Sequence, residues 1–229
     1  GGDHAKRNAI WAATQIGASH TRQLRVSNEP LPKIAMTYVF LVLRVGLLDK
    51  SPGVRQTACR CVATHPNKVF IPFLNERLQD EEAEVRREAA KALGRIGKAE
   101  AVSALLLALA REGGIDRTEE HALIYALIEI GDAKATFRGL ASESSPTVRG
   151  ALIALDQMDS GRVSVDQVAP LLDSDDAALR RTAVEIVGRH ADAASRVVSQ
   201  LDLWLSDDAR GKARRDTLGQ LVAGFAGDP

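Results

Sequence analysis

The feature that most constrains the fold is a helix–turn–helix pattern in residues 80–110. Its first half carries apolar residues at the spacing of one helical stripe, and these are Val85, Ala89, Leu93 and Ile96. Gly97 then predicts a helix end, because glycine enters the left-handed C-cap conformation without strain. A second stripe follows, with Val102, Leu105, Leu106 and Leu109. One such hairpin cannot bury both stripes, so it has to stack on others of its kind.

Copies of this hairpin occur along the whole sequence. The residues at the position of Val85, called here the repeat position, are Ala5, Val54, Glu119, Val148, Leu179 and Ala209. The repeats start near residues 3, 49, 80, 116, 145, 175 and 206, with an insertion near 27–48. A period of about 30 residues with two helices and no strand pattern predicts an all-α fold. We expect a right-handed α-solenoid (superhelix) of about seven helical hairpins, a single domain over 1–229, with the second helices lining its inner face.

The best-matched repeat also resembles a known family. Residues 80–97 follow the pattern D-x-x-x-V-R-x-x-A-x-x-A-L-x-x-(I/L)-G almost completely, which is similar to the HEAT-like repeats of the phycobilisome-lyase type. EHALIYALIEIGD (120–132) and PTVRGALIALDQMDSG (146–161) resemble, more narrowly, the HEAT segment of large exported haem-binding proteins of planctomycete-type bacteria. In those proteins the segment lies between a dehydrogenase-like domain and a cytochrome c domain bearing CxxCH.

The resemblance implies a non-enzymatic scaffold or spacer that binds another protein or flanking domains of the same chain. The narrower resemblance implies an exported, periplasmic protein, and without it we expect a cytoplasmic one. The alternative function is that of a phycobilin-lyase-like or other tetrapyrrole-handling HEAT protein. The glycines at the start of the sequence and the ending LVAGFAGDP are typical of a piece of a longer chain. The partner's identity and the oligomeric state stay open.

Charge and hydropathy narrow the classes of partner. Thirty Lys and Arg residues balance thirty Asp and Glu residues. Nucleic-acid binding needs an excess of cations on one face, so nucleic acid is not the expected partner. Residues 34–48 are nearly all apolar, but they include Arg44 and fall short of the roughly 20 residues that span a bilayer. This helix is either buried on all sides or docks one face on another domain.

The sequence contains no pattern typical of a catalytic or metal site. The five histidines are scattered along the chain without H-x-x-x-H or H-E-x-x-H spacing; they are His4, His20, His65, His121 and His190. Cys59 and Cys61 stand two residues apart on a predicted helix, so their thiols point in nearly opposite directions and cannot pair. We expect both to be buried as small apolar side chains. We therefore expect no enzyme activity, no cofactor and no metal.

An arginine recurs directly after the repeat position, at Arg55, Arg86, Arg149 and Arg180. Acidic residues stand nearby, at Asp49, Asp80, Asp176 and Asp207. The planar fork of a guanidinium fits a carboxylate in a bidentate manner. We predict a ladder in which each arginine binds a carboxylate or a loop carbonyl of the next repeat.

Repeat four offers the best candidate for a contact surface. Tyr125 falls where repeat three has Lys91, an outward position, and His121 and Ile128 lie beside it. We predict that His121, Tyr125 and Ile128 contact the protein partner, with packing against a neighbouring hairpin as the alternative. Trp11 is expected to be a partly buried packing residue.

Overall fold

The structure, a computed structural model, describes residues 2–27, 33–161, 163–189 and Gly219. Every regular element in these ranges is an α-helix or a 3₁₀-helix, which confirms the all-α prediction. The predicted seventh repeat, with Asp207, lies outside the described residues, and so does His190. The chain divides into two compact units, Gly1–Thr136 and Phe137–Pro229, and the single domain over 1–229 stays a prediction.

The first unit consists of helical hairpins. Its helices are α1 (Gly2–Ser27), α2 (Lys33–Leu47), α3 (Pro52–Thr64), α4 (Ile71–Arg77), α5 (Ala83–Ile96), α6 (Val102–Leu109), α7 (Arg117–Ile130) and α8 (Ala133–Thr136). The first helices of the repeats, which are α1, α3, α5 and α7, pack side by side. The second helices pack against them and form the other layer. Each hairpin thus buries its apolar stripes against its neighbours, as the repeat pattern requires.

The repeat at 80–110 folds as its sequence predicts, because every residue of its two apolar stripes is buried. Gly97 ends α5 with φ 63°, and its N–H donates to the carbonyl of Leu93 at 3.2 Å. Gly131 ends α7 in the same conformation. Gly94 lets these two helices approach, because a Cβ there would lie 3.0 Å from the Cα of Ala126.

The first hairpin departs from the expected packing. Helix α2 exposes large apolar side chains, at Tyr38, Leu41 and Val45, so the interpretation that it is buried on all sides is wrong. Ala9, placed in the inward stripe of α1 by the repeat alignment, is exposed as well. The reason is that the first hairpin has a neighbouring hairpin on one side only among the described residues, and an open apolar groove of about 320 Å³ lies between α1 and α2. In the part of the chain that is described, no helix is long and apolar enough to cross a membrane.

The second unit contains shorter elements. Its helices are α9 (Ser145–Gln157), α10 (Val165–Val168) and α11 (Ala177–Val187), with 3₁₀ segments at Phe137–Ala141 and Ala169–Asp173. Helix α9 packs on the first of these segments and on α11. The side chain of Asp176 caps α11 by accepting the N–H groups of Ala178 and Leu179 at 2.9 and 2.8 Å. The second helices of repeats four and five are therefore single turns, Ala133–Thr136 and Val165–Val168, that continue as 3₁₀ segments.

Candidate functional site

Arg55 connects repeats two and three. Its Nε and Nη2 donate to the two carboxylate oxygens of Asp80, each at 2.7 Å. Its Nη1 donates to the backbone carbonyls of Asp49 and Lys50, both at 3.0 Å. One side chain thus ties the loop before its own helix to the loop before the next first helix.

Arg86 repeats this arrangement between repeats three and four. Its Nε and Nη2 donate to the two carboxylate oxygens of Glu119 at 2.7 Å, and its Nη1 donates to the carbonyls of Asp80 and Glu81 at 2.7 and 2.9 Å. Glu119 was not predicted as the acid of this pair. The signal was present, because Glu119 is a charged residue at the repeat position, which is Ala, Val or Leu in the other repeats.

A second set of arginines, at or just after the ends of the second helices α4 and α6, was not predicted. Arg77 donates to the carbonyl of Leu47 at 3.1 Å, and Arg111 donates to the carbonyl of Leu78 at 2.6 Å. Each also lies 3.7 Å from the carboxylate that the preceding arginine binds. Both stand eight residues before a repeat position, which is the pattern that would have revealed them. Each buried carboxylate therefore has two arginines beside it.

Lys6 takes the place of the arginine in repeat one, and its Nζ lies 2.9 Å from Oδ2 of Asp49. Hydrogen bonds from the N–H of Ser51 and from Lys6 lower the pKa of Asp49. Burial alone would raise the pKa of Asp80, but hydrogen bonds from Arg55 and from a backbone N–H outweigh it and lower that pKa. These carboxyl groups are therefore ionised at neutral pH.

The second unit contains the remaining residues of the predicted ladder. Arg180 donates to the carbonyls of Ser174 and Asp175 at 2.6 and 3.4 Å, which stand six and five residues before it, as in the first unit. Asp176 caps α11. Arg149 lies half-buried on α9. The structure thus brings Arg55 and Asp80 together, and the contribution of the whole set to stability stays a prediction.

An open groove of about 1260 Å³ crosses the first unit and is lined by side chains of α1, α3, α5 and α7. The groove lies on the layer of first helices, whereas the sequence predicted that the second helices line the inner face of the solenoid. One lining residue in each repeat stands six positions after the repeat position, and these four residues, called the groove row, are Trp11, Arg60, Lys91 and Tyr125. The row has an aromatic side chain at each end and cations between them.

The aromatic ends of the row face solvent. Trp11 is 51% exposed and Tyr125 is 47% exposed, so the expectation that Trp11 is a packing residue is wrong, because its position in the repeat points outward. The ring of His121 stacks on Tyr125 with centroids 6.2 Å apart and planes 7° apart. His121 and Tyr125 both line the groove, whereas Ile128 is half-buried and is not one of the lining residues.

Cations dominate the exposed part of the groove. The side chains of Arg60, Lys91 and Arg95 are 59%, 53% and 62% exposed, whereas those of Glu88 and Glu129 are 12% and 18% exposed. Glu88 Oε1 lies 3.3 Å from Arg60 Nε and 3.1 Å from Lys91 Nζ. An ion pair in which one partner is this exposed contributes less than about 1 kcal/mol to stability. A ligand entering the groove therefore meets positive charge first, and the cations can change partner at little cost.

The two cysteines are unpaired and buried on α3, as expected. Burial raises the pKa of both thiols, and Cys61 accepts a hydrogen bond from Thr14 at 3.5 Å. Among the described residues there is no group of three or more His, Cys, Asp or Glu side chains able to hold a metal ion. What the groove offers a ligand is aromatic surface and exposed positive charge.

Comparisons with known proteins identify the repeats. The family described as HEAT repeats matches residues 41–128. An archaeal HEAT-like repeats protein from Thermococcus onnurineus NA1 superposes with a TM-score of 0.51 at 11% identity, over 97% of each chain. A second solved structure, the complex of CpcE and CpcF of phycocyanin lyase from Nostoc sp. PCC7120, has a TM-score of 0.43 at 22% identity, over 79% of this chain and 70% of that one. No curated protein sequence matches the chain at a significant level.

The narrower resemblance to cytochrome-bearing proteins stays a prediction. The repeat pattern, the two layers of helices and the family match over repeats two and three and the adjoining helices agree with one another. Residues 41–128 are therefore HEAT repeats, and the chain has an all-α, solenoid-type fold.

Proposed function

We propose that the chain is a non-enzymatic interaction scaffold or spacer that works without a cofactor and binds protein through the groove on its first helices. The partner is another protein or a neighbouring domain of the same polypeptide. The observation that carries this proposal is the groove row, which exposes Trp11 and Tyr125 at the two ends of one continuous groove. Trp, Tyr and Arg are the residue types that contribute most to protein interfaces.

The arginine ladder supports the proposal by making the groove rigid. Arg55 and Arg86 each hold two successive first helices through bidentate pairs at 2.7 Å. Three members of the groove row, Arg60, Lys91 and Tyr125, lie on these same helices and so keep a fixed spacing. A preorganised surface loses less conformational entropy on binding than a mobile one.

The test is a peptide selection on the immobilised chain from a random library, followed by affinity measurements with variants. We expect Trp11→Ala combined with Tyr125→Ala to weaken the selected peptides at least tenfold, because it removes both aromatic contacts. The matched control is Tyr38→Ala, which removes an even more exposed aromatic residue on α2, outside the groove. Selected peptides that bind both variants as they bind the wild type would refute the groove as the binding site.

His121 and Tyr125 are expected to act as a unit because their rings stack. Replacing both with alanine should weaken partner binding and leave the melting temperature within a few degrees of the wild type, since both are exposed. Ile128 stays a predicted contact residue. Its half-buried position makes its replacement the one that should lower the melting temperature most of the three.

The tetrapyrrole alternative has one observation in its favour. A groove of about 1260 Å³ with exposed Arg60, Lys91 and Arg95 has the room and the charge for a chromophore with two carboxylates. Adding a free bilin to the chain would shift its visible absorbance if this function is right, and Arg60→Ala with Lys91→Ala would remove the shift. An unchanged spectrum at high protein concentration would exclude it.

The narrower resemblance proposes redox domains as the neighbours of this scaffold. A haem stain of the full native polypeptide on a denaturing gel tests this directly. A stained band much larger than a chain of 229 residues would make the repeats a spacer between such domains and place the protein outside the cytoplasm. An unstained band would leave a scaffold for a separate protein.

A further inference from the structure

We infer that the ligand of the groove is an acidic protein segment in the polyproline II conformation, which lies across α1, α3, α5 and α7 with an apolar side chain at each end. This inference rests on the proposed function and names the chemistry of the partner. It follows from three properties of the groove row, which are its spacing, its charge and its aromatic ends.

The spacing of the row selects the conformation of the ligand. The four row residues occupy the same position in four first helices that pack side by side. Packed helices lie about 8–10 Å apart. A polyproline II segment has three residues per turn and rises about 3.1 Å per residue, so every third side chain points to the same side at intervals of about 9 Å. One turn of the ligand therefore matches one repeat, and four row positions correspond to ten ligand residues.

The charge of the row selects acidic side chains at the two middle positions. Arg60 and Lys91 share a single carboxylate, because both contact the same Oε1 of Glu88. Two positive charges therefore share one negative charge. Both cationic side chains are more than half exposed. Arg87 is different, because Glu84 at 2.9 Å and Asp116 at 3.2 Å bind it at the edge of the groove. A glutamate at each middle position of the ligand would neutralise the surplus and displace only weak surface pairs.

The ends of the row select apolar side chains. Trp11 and the stacked pair of His121 and Tyr125 present exposed ring surface on the helices at either end of the groove. Grooves lined by aromatic side chains are the usual docking surface for polyproline II segments, because the preformed conformation costs little entropy. The ligand pattern is thus an apolar residue, two spacers, an acid, two spacers, an acid, two spacers and an apolar residue.

The probe is a fluorescently labelled decapeptide with leucine at both ends, glutamate at its fourth and seventh positions and proline and serine elsewhere. Its affinity for the whole chain is measured by fluorescence anisotropy at low and high salt. We expect binding at least tenfold tighter than that of the same peptide with lysine in place of both glutamates. A peptide of identical composition with the two glutamates adjacent should bind at least threefold more weakly, because it cannot match the spacing of the repeats.

Variants of the protein test the assignment of the row. The double reversal Arg60→Glu with Lys91→Glu should invert the preference, so that the lysine peptide binds more tightly than the glutamate peptide. If that variant melts far below the wild type because Glu88 lies beneath the two new glutamates, the variant Arg60→Gln with Lys91→Gln is used in its place and should abolish the preference.

Lys134→Ala, which removes an exposed lysine on α8, is the matched control and should leave the peptide affinities unchanged. Trp11→Ala should weaken the glutamate peptide roughly tenfold.

The outcomes separate this inference from the proposed function. If library-selected peptides depend on Trp11 and Tyr125 but the glutamate peptide binds no better than the lysine peptide, the inference fails and the scaffold function stands. If no peptide of either origin depends on the row, both fail. If single-stranded DNA competes for the row as well as the peptide does, and glutamate spacing has no effect, the row is a general polyanion surface and the inference is refuted.

Discussion

Among the described residues of the two units, the cation after the repeat position makes different contacts. In the first unit the cation after this position contacts a carboxylate of the next repeat, as Lys6, Arg55 and Arg86 show. In the second unit Arg180 binds the carbonyls six and five residues before it, which is the contact that Arg55 and Arg86 also make within their own repeat. Holding the loop before its own helix is therefore common to Arg55, Arg86 and Arg180. Arg55 and Arg86 add a bidentate pair with an acid of the following repeat.

Arg86→Ala should have the largest effect on stability. It leaves Glu119, which is 1% exposed, with one arginine at 3.7 Å, and removing one partner of a buried pair costs about 3–5 kcal/mol. Arg180→Ala is the matched variant of the second unit, and we expect a loss of about 1 kcal/mol from the hydrogen bonds to the carbonyls of Ser174 and Asp175, its contacts among the described residues. Urea denaturation of both variants measures the difference. Equal losses would show that the bidentate pair adds nothing to the contact with the loop.

Asp80→Asn should reveal the Arg55–Asp80 pair through the pH dependence of stability. The pKa of Asp80 is lowered in the folded chain, so the unfolded chain binds more protons and folding becomes less favourable as acid is added. This contribution is complete above the unfolded pKa, which is about 4, and is lost as the pH falls through the folded pKa. The variant should be less stable at pH 7, and its free energy of unfolding should fall less steeply below pH 4 than that of the wild type. Parallel curves would contradict the assigned ion pair.

A pair of glycines extends the comparison of the two units to the backbone. Gly94 and Gly188 both stand nine residues after a repeat position. A Cβ on Gly94 would meet the backbone of Ala126 at 3.0 Å and Glu129 Oε2 at 2.6 Å, whereas one on Gly188 would meet, among the described residues, the carbonyl oxygens of Val184 at 3.3 Å and Glu185 at 4.0 Å. Gly94→Ala should lower stability by about 1–2 kcal/mol, because overpacking outweighs the gain in helix propensity. Gly188→Ala should stay within about 0.5 kcal/mol, as thermal melting of both variants can show.

Much of the fold could be predicted because its signals are local. The apolar stripes and the left-handed glycines that end α5 and α7 are read from neighbouring residues, and Gly97 and Gly131 stand where the pattern places them. Helix α2 was harder to interpret, because an apolar composition does not tell whether a neighbour covers it. Tyr38 and Val45 are exposed, and only the packing of the first hairpin shows why.

The pairing of the ladder could not be predicted in full for a different reason. Asp80 stands five residues before its repeat position and Glu119 stands at the repeat position itself, yet each fills the fork of the preceding arginine. The carboxylate that binds the preceding arginine thus comes from two different positions in the repeat. An alignment of repeats treats these positions as unrelated. The groove row was not predicted as a set, for the opposite reason. Its members share one position, but their residue types differ, and only the packing of the first helices brings them together.

Lys6→Ala should have the smallest effect on stability. It tests which property of an ion pair in the ladder sets the strength of that pair. Lys6 occupies the same position as Arg55 and Arg86 and contacts Asp49 at 2.9 Å, but its side chain is exposed to water. Exposed pairs are screened by salt and hold two long side chains at an entropic cost that offsets most of the attraction. We expect a melting temperature indistinguishable from that of Lys134→Ala, and no further change in 1 M salt. A fall comparable to that of Arg86→Ala would mean that position in the repeat, and not burial of the acid, sets the strength of each pair. Because the loop held by Arg55 begins at Asp49, that result would also assign the first hairpin a part in fixing the geometry of the groove.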